Sequence, residues 1–319
     1  MVIAQCCDDF GLEPAIGWSD YREARLLYSN AEGVQVLDLK SGKRTVLAKN
    51  GERIEYYHIA SANPRSDAAN ARWSPDGTKI IYVEGISETD YSQITIMNVD
   101  GTDKRVVVAD GAPLKPNWSP NGSELVYQKS PAGFGANHQI YIIGVDGSNE
   151  RRVTFRDGQD SQPAYSGDGD AIVYTSDISG ATFTRQLFMI RIDGTDSEQL
   201  TYPTGRTQLA SGPSSSRRSD MIVFSGKDHV EPDLEIFLIG ESDRSIIQLT
   251  NRVASGGSWI NNAAASWSND GKLVVYTQYA FGLVSGLRPL PSVWVMKADG
   301  SAQTLIIENA QDPDLFLKP

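Results

Sequence analysis

Apolar and polar positions alternate through much of this chain, as in Ile94-Thr-Ile-Met-Asn-Val99, Ile140-Tyr-Ile-Ile-Gly-Val145 and Leu187-Phe-Met-Ile-Arg-Ile192. A period near two marks half-buried β-strands, and helical periodicity is missing. These runs lead into Asp-Gly-Thr or Asp-Gly-Ser at Asp100, Asp146, Asp193 and Asp299. Asp-Gly between alternating runs predicts a hairpin, because Gly accepts the positive φ of a tight turn.

A second pattern is phased with the first. It reads Trp73-Ser-Pro-Asp-Gly-Thr-Lys-Ile-Ile-Tyr82, Trp118-Ser-Pro-Asn-Gly-Ser-Glu-Leu-Val-Tyr127, Tyr165-Ser-Gly-Asp-Gly-Asp-Ala-Ile-Val-Tyr174 and Trp267-Ser-Asn-Asp-Gly-Lys-Leu-Val-Val-Tyr276. Worn copies run from Trp18 to Tyr28 and from Ser215 to Phe224. The closing aromatics at 28, 82, 127, 174, 224 and 276 are 54, 45, 47, 50 and 52 residues apart. Such a repeat predicts propeller blades. The expectation is an all-β, six-bladed β-propeller with four-stranded antiparallel blades over residues 14–310. The blades fall at approximately 14–60, 61–113, 114–161, 162–207, 208–262 and 263–310, with an N-terminal extension at 1–13 and a C-terminal tail at 311–319. All four strands of the first blade are expected between Ala15 and Leu47, so that blade one packing on blade six closes the ring. The alternative is that the tail from Asp312 adds an inner strand, bounded by Pro313 and Pro319.

With these motifs the chain resembles the TolB-type six-bladed propeller, whose repeat is a Trp-Ser-Pro-Asp-Gly turn followed by an Asp-Gly-Thr or Asp-Gly-Ser turn. The resemblance covers roughly residues 14 to 310 and departs where Tyr165 and Ser215 replace the motif Trp. It implies a bacterial envelope protein with protein partners such as a peptidoglycan-associated lipoprotein. The separate N-terminal α/β domain of full TolB proteins is not expected within these residues, so the resemblance does not by itself imply the Tol transport role.

The chain of 319 residues is acidic, with a net charge of −11. That argues against nucleic acid as a partner, since phosphate binding needs clustered cations. The pairs Arg151-Arg152 and Arg217-Arg218 read as solvated strand ends. No apolar run approaches the roughly 18 to 20 residues of a membrane helix. The two cysteines, Cys6 and Cys7, are adjacent and form neither a disulfide framework nor a thiolate metal set. The start Met1-Val-Ile-Ala-Gln-Cys6 lacks the basic region and long apolar core of a secretion signal. The expected location is the periplasm or cell envelope if the natural start lies upstream, and the cytoplasm otherwise.

No Gly-x-Ser-x-Gly elbow, phosphate loop or dinucleotide fingerprint is present in the required context. One Asp-Gly per hairpin is a turn and not a calcium loop, which needs several alternating oxygen ligands. The phased tryptophans read as packing between blades. In an antiparallel blade both motif turns fall on one face, and the long, variable links fall on the other, where loops on a rigid scaffold carry function. Those links hold all three histidines. The catalytic candidates are His138, His229, Tyr91, Tyr279 and Arg185, since His, Tyr and Arg suffice to move a proton beside a carboxylate. The ligand-binding candidates are His58, Tyr57, Arg65, Phe134, Asn137, Asp228, Trp259, Asn262, Phe281 and Arg288, a mix of rings and polar groups suited to a sugar or peptide. No cofactor and no metal is expected. The reading is a monomeric binding module with a protein, peptide or glycan ligand on the variable face; the alternative is a lyase or hydrolase at the mouth of the central channel.

Overall fold

The computed structural model describes residues 16, 18–49, 68–85, 92–130, 137–156, 158–177, 185–203, 209–227, 233–251, 259–281 and 291–318. In chain order the strands are β1 (Glu23–Asn30), β2 (Gly33–Asp38) and β3 (Arg44–Lys49); β4 (Ala68–Trp73), β5 (Lys79–Gly85), β6 (Ser92–Asn98) and β7 (Arg105–Val108); and β8 (Leu114–Trp118), β9 (Glu124–Lys129), β10 (Gln139–Gly144) and β11 (Arg151–Arg152). They continue as β12 (Asp160–Tyr165), β13 (Ala171–Asp177), β14 (Arg185–Arg191) and β15 (Glu198–Gln199); β16 (Leu209–Ser215), β17 (Met221–Lys227), β18 (Glu235–Gly240) and β19 (Ile246–Gln248); and β20 (Trp259–Trp267), β21 (Leu273–Phe281), β22 (Pro291–Lys297), β23 (Thr304–Glu308) and β24 (Gln311–Lys318). Among the described residues they form six four-stranded antiparallel sheets, and the innermost strands β24, β4, β8, β12, β16 and β20 touch in a closed ring. The protein is a six-bladed β-propeller.

The turns follow from their side chains. In the first motif turn of blade two, the Ser74 hydroxyl donates to the Asp76 carboxylate at 2.6 Å and accepts from the Lys79 N–H at 2.8 Å. Asp76 also accepts from the Thr78 N–H at 3.0 Å, and these bonds hold its carboxyl below the usual range against the upward push of burial. The same bond joins Ser119 to Asn121, Ser166 to Asp168 and Ser268 to Asp270. These polar residues are turn closures.

Each motif aromatic packs back against the preceding blade. Trp73 sits with Leu27, Val34 and Val36, and Trp118 with Ile81 and Ile94. Their indole N–H groups donate to the carbonyls of Asp314 and Arg72, each at 3.2 Å. The hydrophobic core is therefore a set of inter-blade clusters, the usual way a propeller buries a sheet face that one blade alone cannot.

The first blade is completed by the C-terminus, not by residues near Ala15. Strand β24 pairs antiparallel with β1, from Glu23 opposite Lys318 to Ser29 opposite Gln311. Leu315, Phe316 and Leu317 are buried there, Leu315 and Leu317 toward blade six and Phe316 toward blade two. Asn269 of blade six clamps the strand through both backbone groups of Leu317, at 2.6 and 2.8 Å. Phe316 lies so close to Gly77 (φ +69°) that a Cβ there would stand 2.2 Å from the ring. Packing of blade one against blade six alone does not close the ring; a shared strand does.

Candidate functional site

Every inner strand carries a bulge at one place. Three residues before the motif position stand Asn70, Lys115, Gln162, Gly212, Ala264 and Asp312, all with φ between 51° and 62°. The pairing register shifts at the same points in all six blades. A β-bulge bends the strand and re-aims side chains, and a left-handed conformation at a non-glycine residue has an energetic cost. Here it brings six equivalent positions to the axis.

Those six residues, with Tyr279, line a cavity of about 360 Å³ at the end of the axial channel nearer the variable links. A smaller cavity of about 70 Å³ lies toward the motif turns, lined by Arg217, Ser266, Asp314 and the motif aromatics. Arg72, Asn117 and Ser214 border both.

The charges of the channel are mutually dependent. Burial lowers the Lys115 ammonium from its ordinary value, Arg72 adds to that, and Asp312 opposes it. Lys115 keeps part of its surface, and that surface faces the channel enclosed by the inner strands. Asp314 is pushed up by burial, with Arg72, the Trp73 N–H, Ser266 and Arg217 working against the shift. The Tyr279 hydroxyl is raised by burial and by Asp312, and it donates to the Gln311 side-chain Oε1 at 3.3 Å.

The second gathering of polar groups lies on the variable face between blades three and four. Gln159 places its Nε2 3.0 Å from His138 Nδ1, and its Oε1 accepts from Arg185 at 3.4 Å. With the amide donating, Nδ1 is the acceptor and the imidazole proton resides on Nε2. Arg156 stacks 4.5 Å above the Phe188 ring, donates to Ser176 at 2.8 Å and lies 3.7 Å from Asp160. Asn137, next to His138, is exposed.

Thus His138 and Arg185 come together through Gln159, whereas Tyr279 lines the axial cavity, which neither of them reaches. Asn262 is not on the loop surface. It is fully buried, donates to Glu235 at 2.9 Å and accepts from Gln278 at 3.0 Å, so it ties blade five to blade six. Tyr57, His58, Arg65, Tyr91, Phe134, Asp228, His229 and Arg288 lie outside the described residues, as do the side chains of Trp259 and Phe281. Among the described residues no group of three His, Cys, Asp or Glu is placed to hold a metal ion, and no helix is long and apolar enough to cross a membrane. Lys115, Asp312 and Asn70 escaped the sequence reading because they sit in strands. Their common distance from the motif position was the available signal.

The family described as TolB beta propeller domain matches residues 50–312. This chain belongs to the TolB β-propeller family. TolB from Acinetobacter baumannii superposes on this TolB-family propeller with a TM-score of 0.65 at 18% identity, over 92% of this chain and 66% of that one. The chain thus spans just under two thirds of that relative. A putative TolB from Agrobacterium tumefaciens gives 0.56 at 19% identity, over 72% and 88% of the two chains. An oligogalacturonate lyase from Vibrio parahaemolyticus gives 0.54 at 16% identity, over 85% and 73%. At these identities the likeness is one of fold. No curated protein sequence matches the chain.

Proposed function

We propose that this TolB-family propeller is a monomeric binding module that takes a protein or peptide partner on its variable face, in the bacterial cell envelope. The observation that carries this reading is a pair of exposed aromatics, Phe155 and Tyr202, 70% and 56% exposed. They stand just beyond the outer strands β11 and β15, at equivalent places in neighbouring blades. Arg152 lies over the Phe155 ring at 5.0 Å, and Arg156, Arg185 and His138 are close along the chain or in the same two blades. Exposed aromatics flanked by arginines are the composition of interface hot spots, and here they sit on loops held by a rigid scaffold. The cations favour a partner that presents carboxylates.

An acid–base enzyme would need His, Tyr and Arg around one substrate atom. Of the candidates within the described residues, His138 and Arg185 gather on Gln159 while Tyr279 bonds Gln311. A photo-crosslinking amino acid at Phe155 or Tyr202 is expected to trap one discrete partner in envelope extracts, lost on Arg156→Glu, while a probe at Thr102 on the turn face traps none. Equal trapping from both faces, or none from Phe155 and Tyr202, overturns the reading. Turnover of an oligosaccharide substrate lost on His138→Ala would move the protein to the enzyme class.

A further inference from the structure

The wide end of the axial channel holds opposite charges that no described residue meets at ion-pair distance. Lys115 and Asp312 both line the 360 Å³ cavity, and no ion pair within 4.0 Å joins them to each other or to any other described residue. Asp312 uses its backbone N–H, donating to the Thr277 hydroxyl at 3.1 Å, but its carboxylate accepts no hydrogen bond among the described residues. The Asn70 side chain, 8% exposed in the same layer, is equally without a partner there. A buried lysine elsewhere is paired: Lys129 meets Asp110 at 3.1 Å and Glu150 at 2.8 Å, above the Tyr141 ring. Buried polar groups are ordinarily satisfied by protein or by something bound.

Three polar side chains that bond no described residue, brought to one cavity by left-handed bulges, define what would complement them. A plain anion would suit Lys115, with Arg72 behind it, but would meet the Asp312 carboxylate. A plain cation would suit Asp312 and meet Lys115 and Arg72. A solute carrying both charges a few ångströms apart complements both. The Asn70 amide and the Gln162 Nε2, whose Oε1 is already held by the Gly212 N–H at 3.0 Å, add donors beside it. The volume is at the small end of ligand pockets, which points to a free small molecule and not a polymer.

We propose that the wide end of the channel is a binding site for a small dipolar carboxylate of the free amino acid type, its carboxylate on Lys115 and its ammonium on Asp312. This does not rest on the partner surface of the preceding section: the rim residues Phe155 and Tyr202 are not part of the cavity, and either reading stands if the other fails.

Isothermal titration of the whole chain with glycine, L-serine, L-glutamate and L-lysine, and with acetate and ethylamine as single-charge controls, tests it. At least one amino acid is expected to bind saturably and at least about tenfold more tightly than either control. Lys115→Met and Asp312→Asn should each weaken that binding about tenfold or more while the thermal transition stays cooperative. If one variant does not fold, the other decides. The proposal is overturned if no amino acid binds below about 10 mM, if acetate binds as well as the best amino acid, or if binding survives in a folded variant.

Discussion

Asp312 and Asp314 lie two residues apart in the strand that closes the ring, yet they belong to different ends of the channel. Asp314 accepts from the Trp73 N–H of blade two at 2.8 Å and from the Ser266 hydroxyl of blade six at 3.1 Å. It joins the first blade to both neighbours. Asp312 lines the wide cavity with its carboxylate unbonded among the described residues. In an unbroken strand two such residues would face the same way. The bulge at Asp312 (φ 53°) separates them, turning one side chain to scaffold and the other to open space. Two aspartates in one short sequence can thus have opposite roles, and only the backbone between them tells which is which.

The broadest way to break this comparison is to remove the strand that carries both. Truncation before Gln311 deletes the inner strand of blade one, leaves β1 with an unpaired edge and empties the places of Leu315, Phe316 and Leu317. Each of those side chains contributes about 1.5–3 kcal/mol by burial, and a domain is stable by only about 5–15 kcal/mol in all. Loss of the cooperative thermal transition by circular dichroism is expected. A truncated chain melting within a few degrees of the intact one would show that blade packing alone closes the ring.

A smaller and sharper change separates the two aspartates. Asp314→Ala leaves the buried Trp73 N–H without an acceptor and the Ser266 hydroxyl with only the Trp267 carbonyl at 3.5 Å, at a cost of about 2–3 kcal/mol. Asp312→Asn removes a carboxylate that accepts no hydrogen bond among the described residues and acts on Lys115 only through its charge, so it should cost less than Asp314→Ala, about 1 kcal/mol or less. Urea unfolding of the two variants measures the difference. Equal losses would mean that Asp312 is scaffold as well.

The sequence shows the outer features of this fold more readily than the inner ones. The Trp-Ser turn and the Asp-Gly turn are local, and their Ser, Asp and Gly residues are required by hydrogen bonds inside the turn itself, so the six blades are legible. Ring closure depends on residues 295 apart, Glu23 and Lys318, and local pattern put all four strands of blade one between Ala15 and Leu47, with the tail strand that the structure shows only as the alternative. A signal existed in Lys115-Pro-Asn-Trp118, Gln162-Pro-Ala-Tyr165 and Gly212-Pro-Ser-Ser215, which Asp312-Pro-Asp-Leu315 repeats. Proline has no N–H for a ladder and is confined to edges and bulges, so that run marks the innermost strand, and the tail is one more copy. Of the candidate residues, His138 and Arg185 could be placed on one face from the sequence, but Gln159, which joins them, is an amide without any motif around it. Lys115 and Asp312 were passed over because a polar residue inside a strand reads as its solvent face, whereas here that face is the channel.

The finest test concerns the charge that Lys115 carries into the channel. Burial and Arg72 lower its pKa, Asp312 alone opposes them among the groups that face it, and the balance is downward. In the window between the lowered native value and the unfolded value near 10.5, the unfolded chain binds more protons than the native one, so stability from this group rises with pH. Below that window the native protein holds an ammonium at a cost. Lys115→Met removes the cost, so without added amino acids the variant should be the more stable at pH 7, and its advantage should shrink as the pH rises through the window and vanish above it. Thermal melts of both proteins between pH 7 and 10.5 measure this. An advantage that does not change with pH would mean that Lys115 is solvated like a surface lysine, and the contrast between the two ends of the channel would then rest on Asp312 and Asn70 alone.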